Sequence, residues 1–282
     1  MLPIDFKSVV DRYQVIFFDS FGVIKNYKGL VPGMINTFDY LEENQKDYYI
    51  VTNDASRSPQ QLAESFNKLG LERITPEKVI SSGMLAQEYL QLKVPDGIVA
   101  YLGTDGSAYY IESAGLKAIP VSAINDTNIN QVNALVFLDD EGFNWFGDLN
   151  QVVNLLRKRT IPAIVANTDF AYPVTKNDVA IAVGALANMI EHIVGKKFIR
   201  FGKPDSQMFM FAYDLVREKS NISKKDIVMV GDTLHTDILG GNKFGVDTVL
   251  VYSGNTLPDE AATSINATGI VPTYICETAV IV

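Results

Sequence analysis

VIFFDSFGVI (15–24) is the stretch on which the reading of the fold turns. Val15–Phe18 are apolar at every position, not at alternate ones. That pattern predicts a strand buried on both faces, as in a parallel sheet covered by helices on either side. Asp19 follows the strand directly, and Gly22 allows a tight turn behind it. A carboxylate at a strand end can act as a nucleophile or a metal ligand. It can equally cap a turn or a helix.

The same pattern recurs along the chain. YYIV (48–51), IVMV (227–230) and TVLV (248–251) are short apolar runs ending in polar or glycine-rich turns. Helical patterns lie between them, as in PQQLAESFNKLG (59–70) and DSQMFMFAYDLVREK (205–219). Alternating strand and helix predict an α/β fold with a Rossmann-like parallel sheet. A second set sits mid-chain, with strands at 97–103, 134–138 and 163–167 and helices at 151–159 and 182–195. These suffice for a separate sheet. The expected division is a core of residues 1–83 plus 198–282 and an inserted α/β domain of residues 84–197.

Composition narrows the function classes. The 282 residues are 47 % hydrophobic and 20 % charged, enough for a packed core. The net charge of −9 argues against non-specific nucleic-acid binding, which needs an excess of cationic side chains. A small phosphorylated ligand stays compatible, since one metal or lysine reverses the sign locally. Cys276 is the single cysteine and the N-terminus has no signal-peptide pattern, so a cytoplasmic protein is expected. The most apolar stretch, 179–190, falls short of the ~18 residues of a membrane span, so no membrane partner is expected. Two histidines, His192 and His235, rule out a histidine-rich metal site.

Four polar clusters fall at strand ends, where open parallel sheets bind ligands. The first is Asp19 with its following turn. In YYIVTNDASRS, Thr52 and Asn53 lie between a strand and a helix and suit an anion, although Thr52 or Ser58 can simply cap that helix. In RFGKPDSQMF, Lys203 stands between Gly202 and Pro204, a setting that pins one cation; solvated surface lysine is the plain alternative. In IVMVGDTLHTDILGG, Asp232 and Asp237 follow a strand through Gly231 and form a hard-cation candidate. His235 between them reads as a solvent-facing loop residue.

Taken in this order, the four motifs resemble the haloacid dehalogenase superfamily, and within it the sugar- and nucleotide-phosphatase subfamily with a large α/β cap between its second and third motifs. AIVANTDFAYP (163–173) and VDTVLVYSGNT (246–256) extend the resemblance over nearly the whole chain. It implies a Mg²⁺-dependent phosphatase of small phosphorylated metabolites. Asp19 would form an aspartyl-phosphate, and Ser20, Thr52 and Asn53 would hold phosphoryl oxygens. Lys203 would neutralise charge. Asp19, Asp232 and the backbone carbonyl of Phe21 would bind the metal, with Asp237 in support. The cap would close over the site and choose the substrate, with Asn167 and Asp169 as its leading candidates. A cap-mediated homodimer is implied by the resemblance alone.

One position departs from the family pattern. Phosphatases of this type carry a second aspartate two residues after the nucleophile, as general acid and base; here that residue is Phe21. Its carbonyl can still face a metal, but its ring moves no proton. Such catalysis contributes roughly 10²–10⁴ in rate, so poor leaving groups such as sugar alkoxides should suffer most. Asp169, Asp139, Asp140 and Glu141 are replacements by residue type only, with turn or surface roles as the plain reading. Two other functions remain: a catalytically weak protein that binds a phosphorylated ligand or a partner, and a hydrolase of another bond such as carbon–halogen. Phe143, Trp145 and Phe146 form either a surface patch or a local packing cluster at a helix start.

Overall fold

The computed structural model describes residues 2–175 and 178–282. The chain divides into two compact units. One comprises Met1–Thr52, Pro59–Ile80 and Lys203–Val282; the other comprises Asn53–Ser58 and Ser81–Gly202.

The first unit is built on a six-stranded sheet. Its strand order is Tyr274–Cys276, Asp247–Val251, Ile227–Gly231, Val15–Phe18, Asp47–Thr52, Val79–Ser81. The Val15–Phe18 strand is central and fully buried, and runs parallel to both neighbours, with Phe18 beside Val230 and Ile50. Burial on both faces explains why it is apolar at every position. Phe18 packs on one face against Phe38, ring centroids 5.6 Å apart, and Phe38 meets Tyr48 edge-on at 4.9 Å. Phe17 points to the opposite face and meets Tyr49 edge-on at 6.2 Å. Each such aromatic pair contributes about 0.5–1.5 kcal/mol beyond its buried area.

The sheet has a topological switch point. After Val15–Phe18 the sheet grows toward Asp47–Thr52; after the adjacent Ile227–Gly231 it grows the other way, toward Asp247–Val251. Loops leaving adjacent strands in opposite directions open a crevice at the strands' carboxyl ends. Asp19 and Asp232 are the residues that begin those two loops.

The second unit carries a five-stranded sheet, all parallel, in the order Ile199–Arg200, Ala163–Val165, Val132–Phe137, Ile98–Leu102, Lys117–Pro120. Its helix Trp145–Lys158 starts earlier than the 151–159 expected from apolar spacing. Asn144 caps it by accepting from the Gly147 N–H, while buried Asp148 accepts from the Asn144 N–H. The aromatic trio lies at this start: Phe143 and Trp145 stack at 6.4 Å, and Phe146 is 85 % exposed. Among the described residues no helix is long and apolar enough to cross a membrane.

Candidate active site

The switch point of the first unit gathers charge tightly. Asp19 continues the central strand by one bond, its N–H donating to the Val230 carbonyl at 2.8 Å. Its carboxylate is then fixed by Lys203, whose Nζ lies 2.6 Å from Asp19 Oδ1 and 2.7 Å from Asp237 Oδ1. Lys203, Asp232 and Asp237 are buried, while the Asp19 side chain retains 15 % exposure. Asp19, Asp232 and Asp237 each offer an oxygen within 4.8 Å of the others, the one group of metal-ligating side chains among the described residues.

Three carboxylates against one lysine leave negative charge in a dry place. Burial, joined by the charges of Asp19 and Asp237, pushes the Asp232 carboxyl well above the usual carboxylate range. Burial also raises Asp237, with Lys203 pulling the other way. For Lys203, burial opposes the charge, but Asp19 and Asp237 outweigh it and hold the ammonium above its ordinary value. An all-oxygen set short of positive charge matches the donor preference of Mg²⁺, so these residues fit that ion.

Backbone geometry makes the convergence. The Leu234–Ile238 segment is a single π-helical turn, a wider winding common at functional sites. It carries Asp237 back over Gly231, where a Cβ would stand 2.1 Å from the Asp237 Cβ. There Asp237 also accepts from the Thr233 N–H at 3.1 Å. Asp232 lies equally close to backbone: a Cβ on Gly22 would sit 2.0 Å from its Oδ2, and one on Gly254 only 1.9 Å from it. Gly22 additionally has φ +86°, so both space and conformation call for glycine there.

The other expected site residues are distributed as follows. Ser20 is buried, and its carbonyl accepts from the N–H groups of Ile24 and Lys25, closing the turn after Asp19. Phe21 is partly exposed within that turn and bridges to Lys25. Thr52 ends its strand and is buried. Asn53 opens the second unit, where its amide donates to Asp169 at 2.8 Å and Thr168 at 3.2 Å. Asn167 accepts from the Asp169 N–H at 2.9 Å, which shapes the turn carrying Asp169. The second unit thus assembles Asn53, Thr168 and Asp169. His235 is exposed. Asp139 is half-buried, and burial together with Asp140 pushes its carboxyl up to about 6.

A further group escaped the sequence reading. Ser253, Asn255 and Thr256 follow the Asp247–Val251 strand and bond to the loops that carry Gly22 and Asp232. Their signal is a polar Ser-Gly-Asn-Thr run one residue after a buried strand, close to the pattern that marks Asp19 and Asp232.

Comparison with known proteins places this architecture. A model described as haloacid dehalogenase-like hydrolase matches residues 16–117, and a second, HAD-hydrolase-like, matches residues 200–278. Human chronophin is 29 % identical over 278 residues, covering 96 % of this chain and 92 % of its own. A solved structure from Cytophaga hutchinsonii, described as a possible sugar phosphatase of the HAD superfamily, is 68 % identical with a TM-score of 0.97; the match covers 100 % of this chain and 99 % of that one. The p-nitrophenyl phosphatase from Archaeoglobus fulgidus, at 22 % identity, shares the fold with a TM-score of 0.80 over 95 % of this chain and 97 % of its own.

Proposed function

The chain belongs to the haloacid dehalogenase-like hydrolases, and from that membership we propose that it is a Mg²⁺-dependent phosphatase of small phosphorylated metabolites. The observation that carries the reading is Lys203, buried and bonded at once to Asp19 and Asp237 beside Asp232. A pinned cation beside a strand-end carboxylate is what phosphoryl transfer needs, since that chemistry rests on positioning and charge neutralisation. The names of the relatives, chronophin apart, point to phosphatase activity on small substrates.

In this reading an Asp19 oxygen attacks phosphorus, the bond from phosphorus to the leaving oxygen breaks, and an aspartyl-phosphate remains. Water then attacks that phosphorus, releasing inorganic phosphate and restoring the Asp19 carboxylate. Lys203 offsets charge on the nucleophile and on the phosphoryl oxygens, which Ser20, Thr52 and Asn53 help to hold. Asp19, Asp232 and the Phe21 carbonyl would bind Mg²⁺, with Asp237 in support. When bound, the ion supplies charge neutralisation at the transferring group. Substrate choice falls to the inserted segment, 84–197, with Asn167 and Asp169 as the first positions to vary.

Phe21 sets the leaving-group preference. With no carboxyl two residues after the nucleophile, departing alkoxides are not protonated from that position. Acyl and aryl phosphates need little protonation and should turn over best. Phe21 also motivates a second reading, a phosphate-ligand binder with little turnover. The carbon–halogen alternative is disfavoured because such enzymes need no metal, whereas Asp232 and Asp237 are retained beside Asp19.

The deciding experiment is a screen of sugar, acyl and aryl phosphates with and without Mg²⁺, alongside Asp19→Asn. Turnover that requires Mg²⁺ and vanishes in Asp19→Asn is expected. Binding without turnover on every leaving group favours the ligand-binding reading. Halide release from a haloacid without metal overturns the phosphatase reading.

A further inference from the structure

Asp232 is held in place by a loop from a different part of the sheet. Its Oδ2 accepts from the Asn255 N–H at 2.6 Å, and its Oδ1 accepts from the Thr233 hydroxyl at 3.0 Å. The Asn255 side-chain amide in turn donates to that hydroxyl at 2.9 Å. A hydroxyl has one proton. With a lone pair of Thr233 occupied by the Asn255 amide, its proton is aimed at Asp232. The backbone is fixed as well: the Thr256 hydroxyl and N–H both donate to the Asp232 carbonyl, at 2.6 and 3.2 Å.

The same loop reaches the nucleophile. The Ser253 hydroxyl donates to the Gly22 carbonyl at 2.7 Å, in the turn that follows Asp19. Asp232 is packed between Gly22 and Gly254 with no room for a Cβ on either. The turn after Asp19 and the Asp232 carboxylate are therefore both tied to residues 253–256.

We propose that Ser253, Asn255 and Thr233 are positioning residues that set the orientation of Asp232 and its spacing from the Asp19 turn for binding a divalent cation. The inference rests on the proposed function above. None of the three is placed on the reacting atoms; they act through Asp232 and Gly22. Groups that orient metal ligands from behind typically change metal affinity by 10–100-fold when removed. Asn255 is itself exposed, so its side chain does little for the core, and its removal should separate metal affinity from stability.

The test measures Mg²⁺ binding directly, by calorimetry and by the Mg²⁺ concentration that half-saturates the thermal shift, in the full-length protein. Asn255→Ala, Ser253→Ala and Thr233→Val are compared with wild type and with Thr233→Ser, which keeps the hydroxyl. Asn255→Ala and Thr233→Val should weaken Mg²⁺ about 10-fold or more, with the metal-free Tm within about 2 °C of wild type for Asn255→Ala. Thr233→Ser should recover most of the affinity. Wild-type affinity in both Asn255→Ala and Thr233→Val overturns the inference while leaving the proposed function intact. If Mg²⁺ neither binds nor shifts the wild-type protein, the proposed function fails and this inference with it.

Discussion

The two units carry two parallel sheets with the same kind of switch point, and they fill it differently. In the first unit, Asp19 and Asp232 lead out of adjacent strands, and buried Lys203 ties Asp19 to Asp237. In the second, the loops after Ile98–Leu102 and Val132–Phe137 also diverge, and they carry Thr104, Asp139 and Asp140. Among the described residues none of the ion pairs involves Asp139 or Asp140. The Tyr172 hydroxyl donates to Asp140 at 2.9 Å, and the Trp145 indole N–H donates to the Asp140 carbonyl at 3.0 Å. The same kind of switch point therefore holds a lysine-paired strand-end carboxylate in one sheet and an acidic turn without an ion pair at Asp139 or Asp140 in the other. Chemistry follows the residues grafted onto the strand ends, not the sheet.

Removing the cation should erase most of that contrast. Lys203→Met leaves Asp19 and Asp237 without their counter-charge in a buried place. Breaking such a pair costs about 3–5 kcal/mol, and losing a charge-stabilising donor costs about 10²–10³ in turnover. Chemical denaturation at neutral pH and initial rates on an aryl phosphate check the two effects separately. A variant as stable and active as wild type would mean that Lys203 is not what distinguishes the two switch points.

The fold and the charged cluster were legible in the sequence to different depths. The all-apolar VIFF, IVMV and TVLV runs announce a two-faced parallel sheet, because burial on both faces leaves no polar position. Asp19 and Asp232 announce the site for the same reason, each being the first polar residue after a fully buried run. What was hidden depends on winding and on long-range contact. Nothing in LHTDI marks a π-helical turn, yet that turn carries Asp237 to Lys203. Asn53 reads as an anion ligand by type, and the donation of its amide to Asp169, more than a hundred positions away in sequence, has no local signal. The start of the Trp145–Lys158 helix was missed because Gly147 and the exposed Phe146 interrupt its apolar period.

The next largest effect concerns Phe21. Phe21→Asp places a carboxyl two residues after Asp19. Turnover of a sugar phosphate should rise by about 10²-fold or more, while that of an acyl phosphate changes little. The ratio of kcat values on the two substrates is the readout. No rise in a variant that folds and binds Mg²⁺ would contradict the role assigned here to the missing acid.

The smallest effect lies in the second unit. Burial and Asp140 raise Asp139 to about 6, so its folded state favours the protonated form. That contribution to stability is fully present below the unfolded carboxylate value of about 4 and is lost as pH rises through about 6. Discounted for partial exposure, it amounts to about 1–2 kcal/mol. Asp139→Asn should flatten the fall in stability between about pH 4 and about pH 6, read from denaturation midpoints. An unchanged pH profile would remove Asp139 from this account of the acidic turn.

The most direct test of Asp19 as nucleophile is to trap the covalent intermediate. The protein is mixed with an acyl or aryl phosphate and Mg²⁺, quenched in acid within the first turnover, digested, and mapped by mass spectrometry. A phosphoryl group on Asp19, absent without Mg²⁺ and absent in Asp19→Asn, is the expected result. Steady turnover with no phosphoryl group on Asp19 at any quench time, or turnover that survives Asp19→Asn, would contradict the account.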